Sequence, residues 1–447
     1  MDFIGHRAEL EQLAVMRRRA FEEGALMTVV TGMRGVGKTQ LILESCKASA
    51  EQVFRLFINR ACDAMLCRDL FEKLQSEQHF LQLSPAPSSL AALFEQLFAA
   101  GTEHRFTLVI ERFEELSQVK AGLLPELARL WSKYRALAHI HLIVEVSEPQ
   151  ASKIFDSPRG AFFELADCQI HLKPFGCREL KELLYTIKPN YSADELLNLF
   201  AVSGGLPGIA CDLASSGCLN AQEILSAAFD RHSYVAMQGL TRLAFAGGRR
   251  LIYKTILEAC ACGADTAAKL AEQFGTPVNG YLKRLEQDYG LLRSTRSLCA
   301  AEASQTVRWE VSDLFLAFFL RFVIRHEAEL TWPGCTPELM LRCLEDFERW
   351  RFACFKKLAA LWLMESGAYG QAGPWQPHSR AAKRGVEGLD LLALKSGGSG
   401  AAFELCLRRR QSPLTDRAVK VYKAQQCSEL KELHLELHSL CLEDLLD

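Results

Sequence analysis

The sequence predicts an α/β protein whose first part is a doubly wound parallel sheet, and three observations lead there. Four short runs rich in β-branched and aromatic residues, at 26–31, 53–58, 106–110 and 139–146, are each separated from the next by helical stretches. Strands that alternate with helices pair in parallel, because each crossover returns the chain to the same edge of the sheet. The first run ends in glycine, and a helix is expected over 40–50. With 447 residues and roughly 100–200 per domain, more than one core is needed. Hydrophobic residues at 49% and charged residues at 24% are the balance of a folded chain and exclude disorder for most of it.

Beyond Cys177 the strand signal stops. Amphipathic helices run to about residue 245, broken by Ser203-Gly-Gly-Leu-Pro207, and are expected to form a helical lid over 176–246. Gly247-Gly248 marks the next boundary. Three short helices at 251–260, 266–273 and 278–287 precede two extended segments, 291–295 and 307–311, joined by a polar loop. That is the winged-helix pattern, over 247–330. Trp332-Pro-Gly-Cys-Thr-Pro337 punctuates the chain before a helix at 339–365. Strand candidates at 389–394 and 402–407 follow, joined by Ser396-Gly-Gly-Ser-Gly400, and a charged helix is expected from there to the terminus. The last domain is placed at 338–447.

Lys and Arg number 52 against 54 Asp and Glu, a net charge of −2, so any nucleic-acid contact must come from a local patch. The longest apolar run, 314–322, is interrupted by Arg321 and is far short of the ~20 residues that span a bilayer. No membrane partner is expected. The opening residues carry Asp2, Arg7 and Glu9 and lack the apolar stretch of a signal peptide, which points to the cytoplasm. The sixteen cysteines are scattered without zinc spacing and read as reduced thiols packed as small hydrophobes.

Gly32-Met-Arg-Gly-Val-Gly-Lys-Thr39 fits the P-loop pattern between a strand and a helix. Gly32, Gly35 and Gly37 let the backbone N–H groups surround a nucleotide's phosphates, and the helix N-terminus, with Gln40 in its first turn, adds its dipole. Lys38 is expected on the β- and γ-phosphates and Thr39 on Mg²⁺. Hydrolysis also needs carboxylates at the end of a neighbouring strand. Glu111 ends the run at 106–110 and can hold the metal through water. Arg112 cannot act as a base. Glu114 and Glu115 are either its substitutes or ordinary solvated helix carboxylates.

Together these motifs resemble the archaeal-type ATPase family of the AAA+/STAND group. Phe3-Ile-Gly5-His6-Arg7-Ala-Glu9-Leu10 is similar to its entry motif, with His6 where an arginine is usual. Glu111-Arg112-Phe113 falls where the family has Asp-Glu-Phe, and Val146-Ser147 at its Gly-Ser sensor. Ser157-Pro158 with Leu172-Lys173-Pro174 resembles its downstream markers, and Gly204-Gly205-Leu206-Pro207 resembles its lid turn near the nucleotide. Tyr281-Leu282 and 311–319 resemble its winged-helix signatures; Phe347-Glu348, Gly373-Pro-Trp375 and Glu387-Gly-Leu-Asp390 resemble its C-terminal module. The resemblance implies a P-loop NTPase (AAA+-like) sheet over 1–175, then the lid, the winged helix and a small α/β nuclease-like domain. It implies ATP and Mg²⁺ as ligands, Pro207 as a nucleotide neighbour, and assembly into oligomers as compatible with the chain.

Lys283 and Arg284 on the third winged-helix helix, and Arg293 and Arg296 on the wing, are candidate nucleic-acid contacts, but Glu286 dilutes the patch. The domain reads either as a DNA binder or as a packing module sensing nucleotide state. A PD-(D/E)xK nuclease needs Asp on one strand and Glu-x-Lys on the next. Asp390 and Glu404 fit, but the lysine position holds Cys406, so a degenerate site is expected. The functional expectation is a nucleotide-dependent regulatory switch with slow or lost hydrolysis, acting on DNA or a protein partner. The alternative is an active ATPase coupled to DNA binding or ATP-gated cleavage.

Overall fold

The computed structural model describes residues 3–47, 52–77, 85–247, 251–299, 307–331, 335–377, 386–395, 399–408, 414–428 and 430–446. The chain divides into two compact units, Met1–Lys173 and Pro174–Asp447.

The first unit runs α1 (Arg7–Glu22), β1 (Leu26–Gly32), α2 (Lys38–Lys47), β2 (Gln52–Phe57), α3 (Asp63–Glu77), α4 (Leu90–Ala100), β3 (Arg105–Glu111), α5 (Leu116–Val119), α6 (Leu123–Tyr134), β4 (His139–Ser147), α7 (Glu148–Ala151) and β5 (Cys168–Leu172). The strands form one sheet in the order β2-β3-β4-β1-β5, parallel throughout. β1 is buried from Met27 to Gly32, as a central strand covered on both faces must be. β5 alternates buried and exposed positions at the sheet edge. The four-run reading did not include it, because Cys-Gln-Ile-His-Leu is short and has no β-branched cluster.

Successive strand residues face opposite sides, and the two sides carry different helices. Met27, Val29, Leu108, Ile110, Leu142 and Val144 pack with α3, α4 and α6. Val30, Val109, Ile143 and Ile170 pack with α1 and α2. Two residues beyond Val109 and Ile143, on the α1–α2 side, come Glu111 and Glu145. Buried Arg17 of α1 ties these two helices by donating to the Ser45 carbonyl and Oγ at 2.6 and 3.1 Å.

The second unit opens with helices α8 (Cys177–Ile187), α9 (Ala193–Ser203), α10 (Pro207–Ser215), α11 (Ala221–Phe229) and α12 (Tyr234–Gly247). Then come α13 (Leu251–Ala261), α14 (Ala267–Phe274), α15 (Asn279–Gln287) and the antiparallel pair β6 (Leu292–Thr295) and β7 (Arg308–Val311). The apolar α16 (Leu314–Phe322) starts at Asp313, whose carboxylate accepts from Leu316 N–H and pairs with buried Arg242 at 2.6 Å. α17 (Glu327–Thr331) leads to α18 (Pro337–Glu365), which begins two residues before the expected helix because Thr336 caps it. Arg321 and Asp346 join α16 to α18 through two bonds of 2.7 Å.

The chain closes with β8 (Gln371–Trp375), β9 (Leu389–Leu394), β10 (Ser399–Cys406), α19 (Leu414–Gln425) and β11 (His434–Cys441). Their sheet has the order β11-β10-β9-β8, with β10 and β11 parallel and the other pairs antiparallel. The expected helix to the terminus therefore stops at Gln425. His-Leu-Glu-Leu-His-Ser alternates with period two, and that pairs it beside β10 instead. Among the described residues no helix is long and apolar enough to cross a membrane. Cys67, Cys177, Cys260, Cys343 and Cys354 are buried, whereas Cys62 and Cys335 are exposed.

Candidate nucleotide-binding site

The loop between β1 and α2 lies at the carboxyl edge of the sheet, where β1 is flanked by β4 on one side and β5 on the other. In open α/β sheets this edge is where ligands bind. Gly32, Gly35 and Gly37 all have positive φ, at 145°, 80° and 99°. Gly32 is also sterically obligatory, since a Cβ there would lie 2.4 Å from the Leu172 carbonyl oxygen. Lys38 is 8% exposed and curls over the loop, its Nζ donating to the carbonyls of Gly32 and Met33 at 3.0 and 3.1 Å. Gln40 is exposed in the first turn of α2, where N–H groups have no intrahelical partner.

Glu145, from β4, reaches this loop. Its Oε2 accepts the Thr39 hydroxyl at 2.8 Å and its Oε1 lies 3.8 Å from Lys38 Nζ. Burial raises its pKa above the ordinary carboxylate value, Lys38 and Thr39 oppose that, and the neighbouring charges of Glu111 and Glu114 add to it. The sequence reading missed Glu145. Its signal was a carboxylate among Leu142, Ile143, Val144 and Val146, at the carboxyl end of a central strand and in phase with Ile143.

Glu111 sits at the end of β3, buried, and its Oε1 accepts from Arg55 of β2. Glu114 lies in the turn after β3. One oxygen accepts from Ser147 N–H at 3.3 Å, while Oε2 is buried without a hydrogen-bond partner among the described residues. Arg112 takes a left-handed backbone, φ 58°, and its guanidinium bonds Glu115 at 2.6 Å over the Phe57 ring. Glu115 also accepts from Arg60 at 2.9 Å, which makes it a structural ion-pair partner. A site made of a hydroxyl and carboxylate oxygens fits a hard cation such as Mg²⁺ in its donor chemistry.

Residues 2–143 match the AAA ATPase domain family. Among solved structures, the chain is similar to the Walker-type ATPase of Pyrococcus abyssi at 17% identity and TM-score 0.52, covering 71% of this chain and 96% of that one. It also matches the ORC2 protein of Aeropyrum pernix in its ADPNP–ADP complexes at 16% identity and TM-score 0.48, covering 74% and 96%. No curated protein matches. The first unit is a P-loop NTPase fold. Within that fold Lys38 and Thr39 stand where the P-loop motif requires them.

The remaining candidates lie in the second unit. Pro207 opens α10 after Gly204 and Gly205, which have φ of 60° and 79°. Gly205 accepts from Phe175 N–H at 2.8 Å, and a Cβ on it would meet the Phe175 carbonyl at 2.2 Å. Lys283, Arg284 and Arg296 are exposed, whereas Arg293 is bound to Glu310, which also takes Lys357. The register Ala402↔Leu392 and Phe403↔Leu391, continued by one pair, sets Glu404 opposite Asp390. Lys356 of α18 donates to Asp390 at 2.8 Å, and Cys406 ends β10 half-buried.

Proposed function

We propose that the protein is an ATP-binding regulatory switch of the AAA+/STAND type, with slow or lost hydrolysis and a nuclease-like C-terminal domain that does not cut. The observation that carries it is the intact loop, with Lys38 and Thr39 at the carboxyl edge of a parallel sheet. Thr39 would hold Mg²⁺ directly and Glu111 through water; the ion would supply positive charge to the phosphate oxygens. Arg112 at the position after the strand supports slow hydrolysis, because a guanidinium supplies no base, and here it is paired with Glu115. Nucleotide repositions the lid, expected over 176–246 and containing Pro207, and with it the winged helix. Lys283, Arg284, Arg293 and Arg296 then meet DNA or an acidic protein surface.

The rival reading is an active ATPase coupled to DNA binding or ATP-gated cleavage. The buried, unpartnered Oε2 of Glu114 favours it, since such an oxygen can orient an attacking water. Nucleotide binding and turnover on the purified full chain, with and without DNA, separate the two. Tight binding with negligible turnover supports the switch, and DNA-stimulated turnover supports the motor.

A further inference from the structure

We propose that Glu145, from the strand next to the P-loop strand, is a positioning residue for the divalent cation that accompanies the nucleotide. The proposal rests on the nucleotide-binding reading above. A hydroxyl carries one hydrogen and two lone pairs, and a cation binds the lone pairs. For Thr39 to hold a metal its hydrogen must therefore point at an acceptor, and the acceptor in the structure is Glu145 Oε2 at 2.8 Å.

Topology explains why this residue reaches. β4 lies directly beside β1, with Val30 level with Glu145 and Gly32 level with Ser147. β3, which carries Glu111, is one strand further out, and its carboxylate is engaged by Arg55 of β2. Alternation along β4 aims Glu145 to the α1–α2 side together with Ile143, the side from which α2 delivers Thr39. The other oxygen of Glu145 faces Lys38 Nζ at 3.8 Å, so the carboxylate also fixes the loop's ammonium. Glu145 thus contacts both chemical groups of the loop, the Thr39 hydroxyl and the Lys38 ammonium.

The test is a titration of a fluorescent ATP analogue against the full chain, in EDTA and at increasing Mg²⁺, for wild type, Glu145→Gln and Glu111→Gln, each checked for folding by thermal melting. Partners that orient a metal's ligands are typically worth 10–100-fold in metal affinity. Glu145→Gln is expected to need about tenfold more Mg²⁺ for half-maximal tightening. Its affinity in EDTA should be equal or higher, because a negative charge has been removed. A merely structural residue would weaken both alike, and that result overturns the proposal. So does an unchanged Mg²⁺ requirement in folded Glu145→Gln, or one that shifts only in Glu111→Gln. If the glutamine variant does not fold, Glu145→Asp replaces it, with a smaller shift in the same direction expected and no shift overturning the idea. Wild type that binds no analogue even at saturating Mg²⁺ would instead overturn the nucleotide reading, and this proposal with it.

Discussion

Arg55 donates through Nε and Nη2 to a single oxygen, Oε1, of Glu111, at 3.0 and 2.5 Å, joining the outermost strand of the sheet to the carboxylate that ends β3. The pairing has a geometric cause. Arg55 and Glu111 lie on neighbouring parallel strands, with Phe57 level with Glu111, so two strand residues separate the partners and an arginine spans that distance. One half of the pair is buried and the other is 40% exposed on its side chain, so its net stabilisation is small, about 1 kcal/mol or less. Its consequence is electrostatic. The carboxylate at the β3 end already has a cationic partner before any metal arrives.

Lys38→Ala is expected to lower ATP affinity by at least about tenfold while leaving the fold intact, since phosphate loses a charge-assisted partner. The lysine donates to the loop carbonyls of Gly32 and Met33 and pairs with the nearby Glu145, contacts that lie on the loop rather than between strands. Calorimetric titration with ATP, beside circular dichroism of the variant, checks this. A folded Lys38→Ala protein that binds as wild type does would remove the P-loop from the account.

Hydrolysis is expected to be well below the about 1 per second typical at the low end of efficient phosphoryl-transfer enzymes. Whatever turnover remains should fall by about 10²-fold in Glu114→Gln and little in Glu115→Gln, because only Glu114 has a buried oxygen without a partner and Glu115 is spent on Arg60 and Arg112. Turnover faster than about 1 per second that ignores Glu114→Gln would sink the slow-hydrolysis reading.

These contrasts show what could be read from the sequence. The central strands β1, β3 and β4 and the P-loop were legible, because burial on both faces writes continuous apolar runs and the loop's glycines have no substitutes; β2, at the edge, was legible through its Val-Phe-Arg-Leu-Phe-Ile run. Glu111 and Glu114 were legible as positions, being at the end of a recognised strand. What each carboxylate touches was not, because Arg55 and Glu145 come from strands distant in sequence, and only strand order decides which are neighbours. β5 and β11 escaped for a related reason. An edge strand with alternating exposed positions writes half the apolar signal of a central one.

A pH dependence follows from His141, which is fully buried in β4 with Nε2 2.9 Å from Thr28 Oγ1. Burial, aided by the charge of Arg17, lowers its pKa from 6.5 to about 3. Above pH 6.5 the ring is neutral in both folded and unfolded chains and contributes no slope. Below it the unfolded chain takes up a proton that the folded one refuses, so stability falls as pH drops toward 3, by about 1.4 kcal/mol per pH unit. Denaturation by urea at pH 7 and pH 5 should show a loss of about 2 kcal/mol from this group. His141→Gln, which keeps a polar group within reach of Thr28, should flatten the difference by that amount. An equal pH 7 to pH 5 loss in both proteins would refute the assignment to His141.

The C-terminal domain is expected not to cleave nucleic acid. Register sets Asp390 and Glu404 on adjacent antiparallel strands, directly opposed, and that much matches a nuclease that holds a metal between two carboxylates. The neighbouring positions differ from such a site. Two residues beyond Glu404, on the same face, Cys406 is too short to take a lysine's place beside an attacking water. Arg408 lies exposed in the bend that follows the strand, and a guanidinium is no base. The only ammonium bonded to Asp390 among the described residues is that of Lys356, from α18, at 2.8 Å, which neutralises the carboxylate a metal would need. Weak Mn²⁺ binding is compatible with this arrangement and decides nothing. Incubation of the full chain with single- and double-stranded DNA and RNA, in Mg²⁺ and in Mn²⁺, beside an Asp390→Ala/Glu404→Ala control, decides it. Cleavage that disappears in the control would show that the Asp390–Glu404 site is alive, and the ATP-gated enzyme would then replace the switch.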